Sequence, residues 1–238
     1  MDYLTLCQTL RRECRIPGSG PSTVVDQVGD LADVVAWVSD AYLDIQNDCA
    51  GAWRWLRRRF TFQTTANVTG YAYGDVNDEA AATAITRFNA WDIHSRQRAP
   101  SIYLTSAGQA TESWLGPVSR TGWASQYDFG THVAAKPFCI AINDDDSLLL
   151  GPKPDAAYTV RGWYFRGPQI LVADDDEPEM PAAFHRLIVW RAMRDYGYND
   201  VAQELIDRAV THYNEMWGQL VAQQLVTLDD VTLAGPLA

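Results

Sequence analysis

The chain has 238 residues, with 30 acidic side chains against 19 basic ones, a formal net charge of -11 and a pI near 4.7. A chain of this length buries roughly 70% of its unfolded surface and needs no staples to hold a core. Its acidic balance argues against tight wrapping of DNA or RNA, because that affinity comes from cations that displace counterions along the phosphates.

In chain order, residues 2 to 15 carry a short helical stripe of Tyr3, Leu6, Cys7, Leu10 and Cys14, closed by "IPGSGP", whose Pro and Gly cannot continue a helix. From residue 29 to 49, Leu31, Val34, Val35, Val38, Ala41, Tyr42, Ile45 and Cys49 recur at i, i+3, i+4 and i+7, which predicts an amphipathic helix. From about residue 60 to 172 the pattern changes to short β-branched and aromatic runs broken by Gly, Pro, Asn and Asp. "FTFQTT" alternates, and "PFCIAIN", "SLLLGPKP" and "AAYTVRGWYF" read as three successive strands, the first two joined by a turn at Asp144, Asp145 and Asp146. "TSAGQATESWLG" is read as a short helix within an antiparallel β region.

After "ADDDEPEMP" the helical period resumes, with Pro181 suited to a helix start because its missing N–H would be an orphan there. Gly197 is expected to break this helix, and Asp200 to N-cap a longer one marked by Ala202, Leu205, Ile206, Ala209, Tyr213, Met216, Trp217 and Leu220. The fold class expected is α+β, with N- and C-terminal helices forming a helical bundle with an inserted antiparallel β region. The corresponding domains are residues 1–58 with 180–226, a β-rich insert at 59–179, and a C-terminal arm at 227–238.

No apolar run approaches the ~20 residues that cross a bilayer, and the amphipathic, acid-containing N-terminus is unlike a secretion signal, so no membrane partner is expected. Cys7, Cys14, Cys49 and Cys139 form no C-x-x-C pair and have no histidine at metal-ligand spacing. Neither a metal nor a disulfide framework is expected, and synthesis in a reducing cytoplasm fits.

Several groupings invite a chemical reading. "FHRLIVWRAMRDYGYND" contains His185 and Asp195, but ten residues at ~1.5 Å rise hold them about 15 Å apart on one helix, which excludes a dyad. Arg191 and Asp195 at i, i+4 predict a salt-bridged outer face instead. Asp30, Asp33, Asp40, Asp44 and Asp48 share one side of the second helix and spread over too many turns for one cation. They read as a solvated face or as a surface past which DNA slides without sticking.

"WRWLRRRF" sets Arg54, Arg57, Arg58 and Arg59 beside Trp53 and Trp55. It reads as a cation cluster answering a helix dipole or an acidic neighbour, as a pairing surface between subunits, or as a nucleic-acid contact. Tryptophans 91, 114, 123 and 163 read as core or interface, with a sugar-stacking platform as the rival. There is no nucleophile elbow, phosphate loop, zinc-protease motif or dinucleotide fingerprint, so no catalytic residue and no cofactor is assigned.

The segments "LADVVAWVSDAYLDIQND", "WRWLRRRFTFQT", "SLLLGPKPDAAYTVRGWYFRGP" and "DDDEPEMPAAFHRLIVWRAMRDYGYND", followed by the terminal long helix, resemble the head-to-tail adaptor proteins of tailed bacteriophages. That family includes the tail tubular A proteins of short-tailed phages. The resemblance spans nearly the whole chain, residues 66 to 130 least. It implies a structural, non-enzymatic protein of the virion neck, a ring of about twelve identical subunits that binds the capsid portal on one side and a tail or nozzle protein on the other. Genomic DNA would pass through the hole without specific binding.

Within that implication, Asp30, Asp33, Asp40, Asp44 and Asp48 are the candidate lumen lining, and Arg54, Arg57, Arg58 and Arg59 the candidate intersubunit surface. Leu225, Val226, Leu228, Val231, Leu233 and Leu237 are the candidate portal-docking residues. The rival readings are a carbohydrate- or surface-binding tail module and a hydrolase built on carboxylates that no motif marks.

Overall fold

The computed structural model describes residues 1–93 and 98–225. Among them are helices α1 (Tyr3–Cys14), α2 (Asp30–Asn47), α3 (Arg120–Tyr127), α4 (His185–Asn199) and α5 (Gln203–Gln224). The strands are β1 (Arg57–Gln63), β2 (Gly70–Tyr71), β3 (Asn77–Asp78), β4 (Thr83–Ala84), β5 (Phe88–Trp91), β6 (Ser101–Leu104), β7 (Ser113–Trp114), β8 (Gly116–Pro117), β9 (Cys139–Ile142), β10 (Leu148–Gly151) and β11 (Tyr158–Arg166). The fold is mixed α+β. It divides into two compact units, a helical one of Met1–Leu56 with the described residues from Pro168 onward, and a β-rich one of Arg57–Gly167.

In the helical unit, α1 starts where the Asp2 carboxylate accepts the Thr5 backbone N–H at 2.7 Å, satisfying an orphan donor of the first turn. Its whole predicted stripe, Tyr3, Leu6, Cys7, Leu10 and Cys14, is buried. On α2 the buried residues include Val34, Val38, Ala41, Tyr42 and Ile45. Cys49, expected to close that stripe, is exposed. The helix ends at Asn47, and Cys49 and Ala50 take positive φ (53° and 55°) in a 3-10 turn at Asp48–Gly51, so the helical period cannot reach Cys49.

Helix α4 packs against α1, α2 and α5 and buries Leu187, Ile188, Val189, Trp190, Ala192 and Met193, nearly its full circumference. A helix apolar most of the way round belongs inside its unit. Two expectations are corrected here. Gly197 does not end α4, which runs on to Asn199; a Cβ on Gly197 would stand 2.8 Å from Ile206 Cγ1, so the bare glycine lets the start of α5 come close. Asp200 does not N-cap α5 but closes α4, its N–H donating to Tyr196 O at 2.9 Å. Pro181 precedes a 3-10 turn, Ala182–Phe184, that runs into α4.

Residues 168–179, expected in the β insert, also pack with the helices. Gln46 is fully buried and exchanges hydrogen bonds with the Gln169 backbone, accepting its N–H at 2.7 Å and donating to its carbonyl at 2.9 Å. Asp174 accepts the Thr23 hydroxyl at 3.0 Å, and Leu171 joins the same hydrophobic core as the helices. Buried backbone groups need partners, and here the helical unit supplies them.

The β unit holds a seven-stranded sheet ordered β4-β3-β1-β11-β6-β7, with β5 also on β11, and a four-stranded sheet ordered β2-β10-β9-β8. Phe60, Phe62, Val160 and Tyr164 of the first share a core with Ile140, Leu148 and Leu150 of the second. The hairpin of β9 and β10 turns at Asp144–Asp146 as expected, with Asp145 accepting from Ser147 N and Oγ.

The third strand, however, leaves that sheet: β11 pairs antiparallel with β1, Phe60 opposite Gly162. Pro152 and Pro154 follow β10 and lack the N–H groups that would continue its ladder. One pair, β8 with β9, is parallel in an otherwise antiparallel unit. The helix expected in "TSAGQATESWLG" is a 3-10 turn at Gly108–Thr111, and the helix of this region is α3, N-capped by Ser119 onto Gly122 N at 3.0 Å.

Candidate functional site

The five aspartates do not form a uniform face: Asp30, Asp33, Asp40 and Asp44 are on α2, and Asp48 follows its last residue. Asp30, Asp33, Asp40 and Asp48 are exposed. Asp44 accepts from Arg191 of α4, and the same guanidinium reaches Asp195 at 3.4 Å. Burial pushes the Asp48 carboxyl up, Arg191 pulls it down, and Asp44 adds to the rise. Asp195 is raised in the same way, by burial first and then by Asp44 and Asp40, against Arg191. The expected outer face of α4 is therefore corrected. The i, i+4 pair exists, but Arg191 is turned toward α2, because burying a cation at 18% exposure requires carboxylates close by.

The arginine cluster belongs to strand β1 for three of its four members. Arg57 and Arg59 are on one face of that strand, and both guanidinium groups sit over the Trp163 ring of β11, at 4.3 Å and 5.3 Å from its centroid. Arg57 donates to Asp92 at 2.7 Å, and Arg98 reaches the same carboxylate at 3.1 Å. Glu79 is likewise shared, by Arg59 at 3.0 Å and Arg161 at 2.6 Å.

Arg58, on the opposite face, is exposed and adds to the pull on Asp78. Burial raises the Asp78 carboxyl, but hydrogen bonds from Tyr164, Ala81 and Ala80 outweigh it and hold the group below the usual range. Arg54 is exposed in a 3-10 turn before the strand. Sequence reasoning missed Trp163, Arg161, Glu79 and Asp92 as partners. Alternation in "TVRGWYF" puts Arg161 and Trp163 on one face, but only the β1–β11 register sets them beside the arginines.

Arg59, Arg161, Trp163 and Trp114 line a cleft of about 370 Å³ with Glu112, Ser101 and Ser113. Trp114 is 70% exposed, whereas Trp91 and Trp123 are buried. Of the candidate docking residues, Leu225 is half-buried and forms an isolated antiparallel bridge with Trp53. Val226, Leu228, Val231, Leu233 and Leu237, and the arm at 227–238, lie outside the described residues.

His185 is buried, and its contacts fix its tautomer. A carbonyl only accepts, so Nε2–H donates to Met180 O at 2.8 Å, leaving Nδ1 to accept from the Met1 amine at 2.9 Å. Neither contact is with Asp195. Among the described residues no His, Cys, Asp or Glu cluster is arranged to hold a metal, and no helix is long and apolar enough to cross a membrane.

Charge is segregated between the units. The helical unit, through residue 225, carries 18 acidic and 8 basic side chains, a net of -10, whereas the β unit carries 10 acidic and 11 basic ones, a net of +1.

A search of curated proteins finds no match. A protein-family model described as SU10 adaptor protein matches residues 1–237, which supports the resemblance to phage head-to-tail adaptors. With the match running over both units and their connecting segments, the chain belongs to the SU10 adaptor protein family.

Proposed function

We propose that this protein is a structural component of a phage neck, a self-assembling ring that joins the capsid portal to a tail or nozzle protein and surrounds the path of the genome. The observation that carries the ring is the charge segregation: an acidic helical unit and a β unit with an arginine face give each copy two unlike, attracting surfaces. Unlike surfaces on one subunit generate heterologous contacts, which close into rings when the rotation permits. Arg54 and Arg58, both exposed, are the members of the cluster best placed for such a contact, since Arg57 and Arg59 already serve Asp92 and Glu79.

Asp30, Asp33, Asp40 and Asp48 are the lumen candidates, because exposed carboxylates repel a passing phosphate chain. Asp44 answers Arg191 and contributes less to such a field. Residues 226–238 dock on the portal in this reading, and Phe129, Val133 and Phe138 of the β unit are exposed apolar side chains that a neighbouring neck component would cover. Catalysis has no part in it.

Removing residues 226–238 tests the docking arm. Co-sedimentation with purified portal protein should be lost while the circular dichroism spectrum is kept; undiminished co-sedimentation contradicts the assignment. The rival reading, a carbohydrate-binding tail module, draws on exposed Trp114 and predicts glycan-array binding that Trp114→Ala abolishes.

A further inference from the structure

We propose that the corner joining α4 to α5, with Val201 at its tip and Tyr198 beside it, docks in an apolar hollow rimmed by lysine or arginine on the tail-side partner. The inference rests on the neck reading above and names the part of this chain that meets that partner.

The corner is built against local preference. The Ala202 N–H donates to Gly197 O at 2.9 Å and the Asp200 N–H to Tyr196 O at 2.9 Å, a closure of α4 that puts Val201 in the left-handed region with φ 52°. Glycine or asparagine is the usual choice there, since a β-branched side chain crowds its own backbone at positive φ. The same side chain is 88% exposed, and Tyr198 is 62% exposed. Valine at this position serves neither the turn nor the core. Asp200 adds a carboxylate to the negative end of the α4 dipole, and Ala202 gives α5 no side-chain cap. A residue that is strained and uncovered in the single chain points to a contact with another molecule.

The exposed charge of the corner has one sign. Asp200, Glu204 and Asp207 are exposed, and residues 195–207 contain no Lys, Arg or His. The flanking arginines are already engaged, Arg194 with Asp195 at 3.6 Å and Arg208 with the Glu13 carbonyl at 2.6 Å. An apolar tip flanked by carboxylates fits a hollow of apolar side chains with cations at its rim.

The direction follows from α5. That helix has 22 residues and spans about 33 Å at ~1.5 Å per residue, with the corner at its start and residues 226–238 following its end. In the neck reading residues 226–238 dock on the portal, so the corner lies a helix length from that contact and is free to meet the component on the other side.

The test measures binding of the full-length chain to purified tail or nozzle protein and, separately, to purified portal protein, by biolayer interferometry. Val201→Gly keeps the left-handed turn and removes the side chain. The proposal predicts a melting temperature equal to or above that of the wild type, affinity for the tail protein at least about ten-fold weaker, and unchanged portal binding. Val201→Asn, which tolerates the same backbone, should behave alike. Wild-type affinity for the tail protein should also fall as salt rises, and less steeply in Glu204→Gln.

Undiminished binding of the tail protein by Val201→Gly overturns the docking assignment and leaves the neck reading standing. A lower melting temperature in both Val201→Gly and Val201→Asn shows that the valine serves the fold, and overturns it equally. Affinity for the tail protein that is indifferent to salt overturns the cationic rim. Loss of portal binding, or of assembly into multimers, in place of tail binding reassigns the corner to the portal or to a second copy and overturns the proposal. A wild-type chain that binds neither partner overturns the neck reading and this contact together.

Discussion

The carboxylate of Asp92, 2% exposed, accepts the Nε–H of Arg57 at 2.7 Å, so the first arginine of β1 is held by a buried acid of its own unit. Arg98 completes the arrangement from the other side. Removing the acid takes away the carboxylate that holds Arg57 in a largely buried place.

Asp92→Ala is therefore expected to destabilise the β unit by about 3–5 kcal/mol, the range for breaking a buried pair from one side. Glu79→Gln, at a carboxylate whose side chain is 31% exposed, is expected to cost about 1 kcal/mol or less. Urea unfolding of the two variants should separate them clearly, and equal costs would contradict the difference in burial.

Gly197 makes a second prediction. Alanine gains at most about 1 kcal/mol over glycine in a helix, less in a last turn such as this one, yet the added Cβ would meet Ile206 Cγ1 at 2.8 Å and Ile206 N at 3.3 Å. Overpacking costs about 1–3 kcal/mol, so Gly197→Ala should come out neutral to destabilising by about 2 kcal/mol, and Gly197→Val worse. In an Ile206→Ala background the same change should be better tolerated, a coupling that a double-mutant cycle measures.

His185 sets a pH dependence. Burial holds its imidazole below the ordinary 6.5, and the nearby amino terminus adds to that against the Met180 carbonyl. The unfolded chain then binds a proton more readily than the folded one. Stability from this group is complete above about pH 6.5 and is lost as the pH falls toward the lower folded value. The melting temperature should decline between about pH 6.5 and pH 5 more steeply in the wild type than in His185→Gln. Parallel curves would show that the buried ring is not the titrating group.

The exposed aspartates of α2 carry the functional prediction. Asp33→Asn with Asp40→Asn should leave assembly unchanged, since neither side chain is buried. Replacing both with Lys should slow release of DNA from assembled particles, measured by dye accessibility, because a passing phosphate chain would then be attracted. Unaltered release with the lysine pair would remove these residues from the lumen.

The helices were legible where packing repeats with the helical period. Every member of the α1 stripe is buried, and so are Ile206, Ala209 and Leu220 on α5. The ends of elements were not, since Cys49 and Gly197 owe their placement to a left-handed turn and to the approach of Ile206, which are tertiary facts. Strands of two residues such as β3, β4 and β7 are too short for any period to show.

α3 had a signal that can be recognised afterwards: a serine at position 119 before Trp123 and Tyr127, four residues apart. The site was legible by residue type and not by partner. Arg57 and Arg59 stood out at once, but the acids that hold them come from Glu79 and Asp92, and the indole beneath them from a strand about a hundred residues on.

Mass photometry of the purified chain, alone and with portal protein, tests the ring most directly. The account predicts a discrete assembly of about twelve copies, formed in solution or on the portal, whose population falls as salt screens the acidic and basic surfaces. A species that remains a single chain at every salt concentration and ignores the portal would contradict it.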